Sequence, residues 1–274
     1  MLLITFIACK GGNVPERNIL TDPTRHVSES AWEKLSQKKI YFGHQSVGSN
    51  IIDGIRDVMK ENPWIHLNIV ESSDAGAFST PVFAHSTVGQ NTDPASKCDD
   101  FSRFMQKGIG DKADFALLKF CYVDITENTD VQKVFDTYKR SLDQLKEMYP
   151  RTKFIHVTVP LTSKQTGLKP FAKNLVKKIL GRPVRSYKDN IRRNEFNELL
   201  IGEYAGREPI FDLAAVESTY PDGTREKMTI EGKAFYSLVP EYTYDGGHLN
   251  EVGRKIAAQH LLALLAQLSE SSDR

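Results

Sequence analysis

From about residue 39 onward, apolar positions fall into short runs separated by amphipathic stretches. Ile40, Tyr41 and Phe42 form a run that predicts a first strand, and Ile51, Ile52, Ile55 and Val58 recur at helical spacing and predict a helix over 47–59. Residues 66–70 alternate and predict a second strand, while residues 72–96 are rich in Gly, Ser, Thr, Asp and Pro and predict a long loop. Long structureless loops in compact domains usually carry function. A helix over 97–107 would place Phe101, Phe104 and Met105 on one face, and a strongly apolar third strand is expected over 114–122. Val134, Tyr138, Leu142 and Leu145 predict a helix over 130–148, followed by a fourth strand over 153–160 that Pro160 stops. A helix over 190–204, a fifth strand over 209–216 and an Ala- and Leu-rich helix over 249–268 complete the expected elements.

Strands alternating with helices imply βαβ units, hence a parallel sheet covered on both faces. In such sheets sites form at the carboxyl ends of strands, which directs attention to the segments after Phe42, Val70, Tyr122 and Val216. No internal repeat interrupts the pattern. The simplest division is an apolar leader over 1–9, a polar tether or irregular arm over 10–31 with Pro15 and Pro23, and one domain over 32–274.

The chain has 274 residues, 40% hydrophobic and 26% charged, an ordinary composition for a globular protein. Its net charge of +1 gives no overall electrostatic case for nucleic acid or an anionic membrane. Lys173, Lys177, Lys178, Arg182, Arg185 and Arg192 concentrate positive charge locally, either as a solvated face or as a rim for an anionic polysaccharide or lipid headgroup. Cys98 and Cys121 read either as a disulfide or as two small buried side chains. Cys9 follows the apolar run Met1 to Ala8, which is too short for a bilayer span of about 20 residues. Phe6-Ile7-Ala8-Cys9 resembles a bacterial lipobox, which implies export, lipidation at Cys9 and a cell-envelope location; a frayed apolar terminus is the other reading.

Gly43-His44-Gln45-Ser46-Val47-Gly48 lies where the first strand meets the first helix of the pattern. A serine there has free backbone N–H groups and the positive end of a helix dipole beside it. The same residue also reads as a plain helix cap, a role worth about 1 kcal/mol. Tyr244-Asp245-Gly246-Gly247-His248-Leu249-Asn250 precedes the last helix. A serine hydroxyl needs a base to take its proton, histidine suits that task near neutral pH, and a carboxylate must orient the imidazole. Asp245 and His248 supply both across two glycines, which allow a tight turn.

An early serine after the first strand and a late Asp-x-x-His before the last helix resemble the two ends of the SGNH/GDSL hydrolase pattern, with Asp245-Gly-Gly-His248-Leu-Asn the closer match. The resemblance implies a three-layer α/β/α sandwich of flavodoxin-like type and hydrolysis or transfer of a small acyl ester. It assigns Ser46 as nucleophile, His248 as base and Asp245 as its partner. It also implies an oxyanion hole from the Ser46 N–H and a loop glycine, for which Gly89 is the candidate and Gly76 a weaker one. Two blocks depart from the pattern. Gly43-His44-Gln45-Ser46 replaces Gly-Asp-Ser, and Cys121-Tyr122-Val123-Asp124 stands where the family carries Gly-x-Asn-Asp, so Asn91 becomes the candidate side-chain donor.

His44, Lys119, Tyr122 and Asp124 are candidate substrate contacts; Lys119 and Asp124 read equally as a buried ion pair, and Tyr122 as a core tyrosine. His44, His85, His156 and His260 lack a metal-ligand spacing, so neither metal nor cofactor is expected, and His156 reads as an interior histidine. The resulting expectation is a cell-envelope serine esterase acting on a carbohydrate ester. An O-acyltransferase with the same residues and a non-catalytic glycan-binding lipoprotein are the alternatives.

Overall fold

A computed structural model describes residues 22–164 and 187–271. Cys9 and the basic residues Lys173, Lys177, Lys178, Arg182 and Arg185 lie outside them. Six strands form one parallel sheet: β1 Lys39–His44, β2 Ile69–Glu71, β3 Val82–Thr87, β4 Phe115–Leu118, β5 Lys153–Val157 and β6 Ile210–Phe211, in the order β2-β3-β1-β4-β5-β6. With β2 set aside as an edge strand, this is the flavodoxin-like order, so the expected three-layer α/β/α architecture is the observed one.

Alternation along the strands divides the interior into two cores. Ile40, Phe42, Phe115, Leu117, Ile155 and Val157 face α1 (Glu29–Ser36), α2 (Ser46–Glu61) and α7 (Glu251–Ser271). Tyr41, Ala116, Leu118 and Phe154 face α3 (Pro94–Phe104), α4 (Val131–Met148) and α5 (Tyr187–Tyr204). Helices α2 and α7 approach closely at Gly54, where a Cβ would stand 2.2 Å from the Arg254 carbonyl oxygen. Among the described residues, no helix is long and apolar enough to cross a membrane.

Several elements differ from expectation. Residues 22–31 are not a tether: a 3-10 turn at Pro23–His26 and the start of α1 are folded here, with Thr24 and Ala31 buried and Ser28 Oγ capping α1 at the Ala31 N–H. The expected loop over 72–96 contains β3 and a 3-10 turn at Ala75–Ser79. The second strand is reduced to Ile69–Glu71. α3 starts at Pro94 because Asp93 caps it through Ser96 N, 3.1 Å away. The fifth expected strand stops after Phe211, because Asp212 caps a short helix, α6 (Leu213–Ser218), through the Ala215 N–H. An antiparallel hairpin, β7 Lys227–Ile230 with β8 Lys233–Tyr236, precedes the last helix.

Candidate active site

β1 delivers the chain to the carboxyl edge of the sheet, between β3 and β4, where the strand order reverses and a crevice is expected. Gln45 is the extended residue before α2, and its side-chain amide donates to the Val88 and Gly89 carbonyls at 2.8 and 2.9 Å. Ser46 is therefore the first helical residue and not the cap. Its own N–H precedes the first intrahelical acceptor and sits at the positive end of the helix.

The segment before α7 folds onto that end of α2. Thr243 Oγ1 donates to the His248 carbonyl at 2.6 Å and accepts from the Gly246 N–H at 2.9 Å. Gly246 adopts φ +89°, which a side chain would resist. Leu249 N donates to Asn50 Oδ1 on α2 at 3.1 Å, tying the loop to the serine-bearing helix. Asp245 Oδ1 accepts from the Gly247 and His248 N–H groups at 2.9 and 2.8 Å, and Oδ2 lies 2.7 Å from His248 Nδ1. With Nδ1–H donating to the carboxylate, Nε2 is the acceptor, and it lies 3.0 Å from Ser46 Oγ. The histidine and aspartate side chains remain 25% and 31% exposed, so the site opens to solvent.

Two tyrosines flank the imidazole. Tyr122 opens a 3-10 turn separated from the end of β4 by residues 119–121, is 5% exposed, and sets its hydroxyl 3.5 Å from His248 Nε2. Tyr244 is 68% exposed, and its ring lies nearly parallel to that of His248, 12° apart with centroids at 6.0 Å.

The other sequence-derived site residues make contacts of their own. Gly89 has φ +53°, and its N–H donates to Asp100 Oδ2 at 2.8 Å; a donor already held by a carboxylate does not serve as the expected oxyanion donor. Gly76 N likewise donates to Asp74 Oδ1 at 2.6 Å. Asn91 is exposed in the β3–α3 loop, its Oδ1 accepting from Lys97 Nζ at 3.2 Å. His44 is not a substrate contact but a buried residue. Its Nδ1 lies 2.9 Å from the Gln45 carbonyl and its Nε2 3.1 Å from His85 Nδ1, and burial pushes its pKa down to about 3.

Lys119 and Asp124 are also buried and do not pair with one another. Lys119 Nζ donates to the Phe120 carbonyl at 3.1 Å, and burial lowers its pKa. Asp124 pairs instead with the buried Lys97 at 2.5 Å and accepts from the Cys121 and Thr92 N–H groups at 2.6 and 2.9 Å. This cluster fastens the β3–α3 loop to the end of β4. Cys98 and Cys121 are buried free thiols. His156 is interior as expected, 2.7 Å from the Tyr138 hydroxyl and 3.0 Å from Glu208. Among the described residues, no group of three or more His, Cys, Asp or Glu is placed to hold a metal.

Sequence reasoning missed Lys97, Arg193, Glu217 and Tyr244. Lys97 and Arg193 had a signal, because each stands on the apolar stripe of its helix, with Phe101 and with Phe196 and Leu200 respectively. Arg193 Nε donates to the Tyr122 and Ile125 carbonyls at 2.8 and 3.1 Å, so it holds the turn that carries Tyr122. Glu217 accepts from the Leu161 N–H, and burial raises its pKa to about 8. Tyr244 is an exposed aromatic, as Trp64 and Tyr187 are, and only the structure shows its ring beside that of His248.

A parallel α/β sheet with a hydrogen-bonded Ser–His–Asp set at its carboxyl edge is the arrangement of a serine-hydrolase-type site. No protein-family model matches the sequence, and no curated protein matches it. Among solved structures, the chain is similar to an acetyl esterase mutant determined with acetate ion, at 12% identity and TM-score 0.48, over 85% of this chain and 97% of that one. It is also similar to a lipase/acylhydrolase from Enterococcus faecalis, at 15% identity and TM-score 0.45, over 85% and 96% of the two chains. A third similar structure is the periplasmic domain of a lipopolysaccharide acetyltransferase from Salmonella serovar Paratyphi A, at 12% identity and TM-score 0.44, over 81% of each chain.

Proposed function

We propose that the protein is an SGNH/GDSL-type serine esterase that removes a small acyl group from a carbohydrate ester through an acyl-enzyme on Ser46. The observation that carries this reading is the continuous hydrogen-bonded line from Asp245 Oδ2 through His248 to Ser46 Oγ, at 2.7 and 3.0 Å. His248 Nε2 takes the Ser46 proton as Oγ attacks the ester carbonyl. Asp245 holds the imidazole in the tautomer that leaves Nε2 free of hydrogen and stabilises the imidazolium that follows. The Ser46 N–H, at the start of α2, donates to the tetrahedral oxyanion. Asn91 is the proposed side-chain donor, since Lys97 holds its carbonyl end and leaves the amide N–H₂ end for substrate. Collapse expels the alcohol, and water attacks the acyl-enzyme by the same route in reverse. An envelope location with a lipid anchor at Cys9 is part of the proposal and rests on Phe6-Ile7-Ala8-Cys9.

The test is acetate release from an acetylated oligosaccharide, followed by NMR with the purified protein. Ser46→Ala is expected to lose at least about 10³-fold in rate, and Asn91→Ala about 10²-fold. Wild-type protein that binds the saccharide without releasing acetate from any ester supports the glycan-binding alternative instead.

A further inference from the structure

We infer that Tyr122 and Tyr244 form the subsite for the departing alcohol and that this subsite is built for a pyranose ring. The inference rests on the esterase reading of Ser46 and deepens it.

The proton that the departing alcohol needs is held on His248 Nε2. When the tetrahedral intermediate collapses, the bond between the acyl carbon and the alcohol oxygen breaks with its electron pair on that oxygen, which takes the proton from Nε2. The departing oxygen must therefore come within hydrogen-bond reach of Nε2. The Tyr122 hydroxyl already occupies that neighbourhood, 3.5 Å from the same nitrogen. Its O–H donates a hydrogen bond to the oxygen while charge resides there, an interaction stronger than one to a neutral ester.

Tyr122 is held for this task. Its ring meets the imidazole edge-on, 75° apart with centroids at 5.7 Å, its carbonyl accepts from Arg193, and the Arg193 guanidinium carbon lies 5.7 Å from its ring centroid. Tyr244 is placed differently. It precedes Asp245 directly and presents an open ring beside the same imidazole. A flat aromatic face takes up the apolar C–H face of a sugar ring, and a tyrosine does so at low entropic cost. Together the two side chains offer a donor at the reacting oxygen and a wall for the ring that carries it.

The two roles separate with three acetyl esters: ethyl acetate, trifluoroethyl acetate and an acetylated methyl pyranoside. Tyr122→Phe is expected to lose about tenfold more kcat/KM on ethyl acetate than on trifluoroethyl acetate, because the poorer leaving oxygen carries more charge. Tyr244→Ala is expected to lose about tenfold more on the pyranoside than on ethyl acetate, with Tyr244→Trp restoring the ratio. Equal losses on the paired esters, in a wild-type background that hydrolyses them, overturn the subsite and leave the esterase reading standing. A wild-type protein inert to all three esters and to a fluorophosphonate overturns both.

Discussion

Asp245 spends one carboxylate oxygen on two backbone N–H groups and the other on His248 Nδ1, so the ring it orients is fixed against a rigid turn. Asp245→Asn replaces the acceptor at Oδ2 with an amide that can favour the wrong imidazole tautomer. The expected loss is about 10⁴-fold in kcat with the fold retained, measured on any ester the wild type cleaves. His44 supplies a pH test. Its folded pKa is lowered to about 3 by burial, whereas an unfolded histidine titrates near 6.5, so the unfolded state gains protons first as pH falls. Its contribution is therefore fully present above about pH 6.5 and is lost progressively as pH falls toward the folded value. Glu217, raised to about 8 by burial, works with the opposite sign: its contribution is present at low pH and lost as pH rises through 8. The two effects overlap, so the measurement is a difference. The stability of wild type relative to His44→Gln, from urea melts, is expected to fall by about 2 kcal/mol between about pH 7.5 and pH 5.

At the scale of elements, the site depends on α2 and α7 being held at a fixed separation, since one carries Ser46 at its start and the other follows His248. Gly54 sets that separation. Gly54→Ala forces a Cβ against the Arg254 carbonyl and is expected to cost about 1–3 kcal/mol in urea melts, with activity falling alongside stability. The strong elements were legible because their apolar periods were clean, as in α2 and α4. β3 was not: Pro81 precedes it, and only Val82, Phe83 and Ala84 are apolar before His85. Within its polar end His85 is buried and meets His44, a pairing across 41 positions that local pattern does not show. The fifth strand ran too far because Asp212, a helix cap, sits inside an otherwise apolar run.

For the whole molecule, the parallel sheet explains how residues 202 positions apart, Ser46 and His248, come within hydrogen-bond reach. The chain reverses its strand order at β1, and the segment before α7 meets the start of α2 over that strand's carboxyl edge. Ser46, Asp245 and His248 were legible because each stands at an element boundary in a chemically specific grouping. The fate of the Gly89 N–H was not, since a backbone N–H is recognised by where it points. Gly89 points to Asp100. The Lys97–Asp124 pair was equally hidden, because its members stand 27 positions apart and each has oppositely charged residues closer in sequence. Covalent labelling tests the account most directly: purified protein is treated with a fluorophosphonate near neutral pH, and intact mass is read for wild type, Ser46→Ala and His248→Ala. One adduct is expected on wild type, mapping to Ser46, and none on Ser46→Ala, with His248→Ala labelled far more slowly. A folded wild type that stays unlabelled, or an adduct that persists in Ser46→Ala, would contradict it.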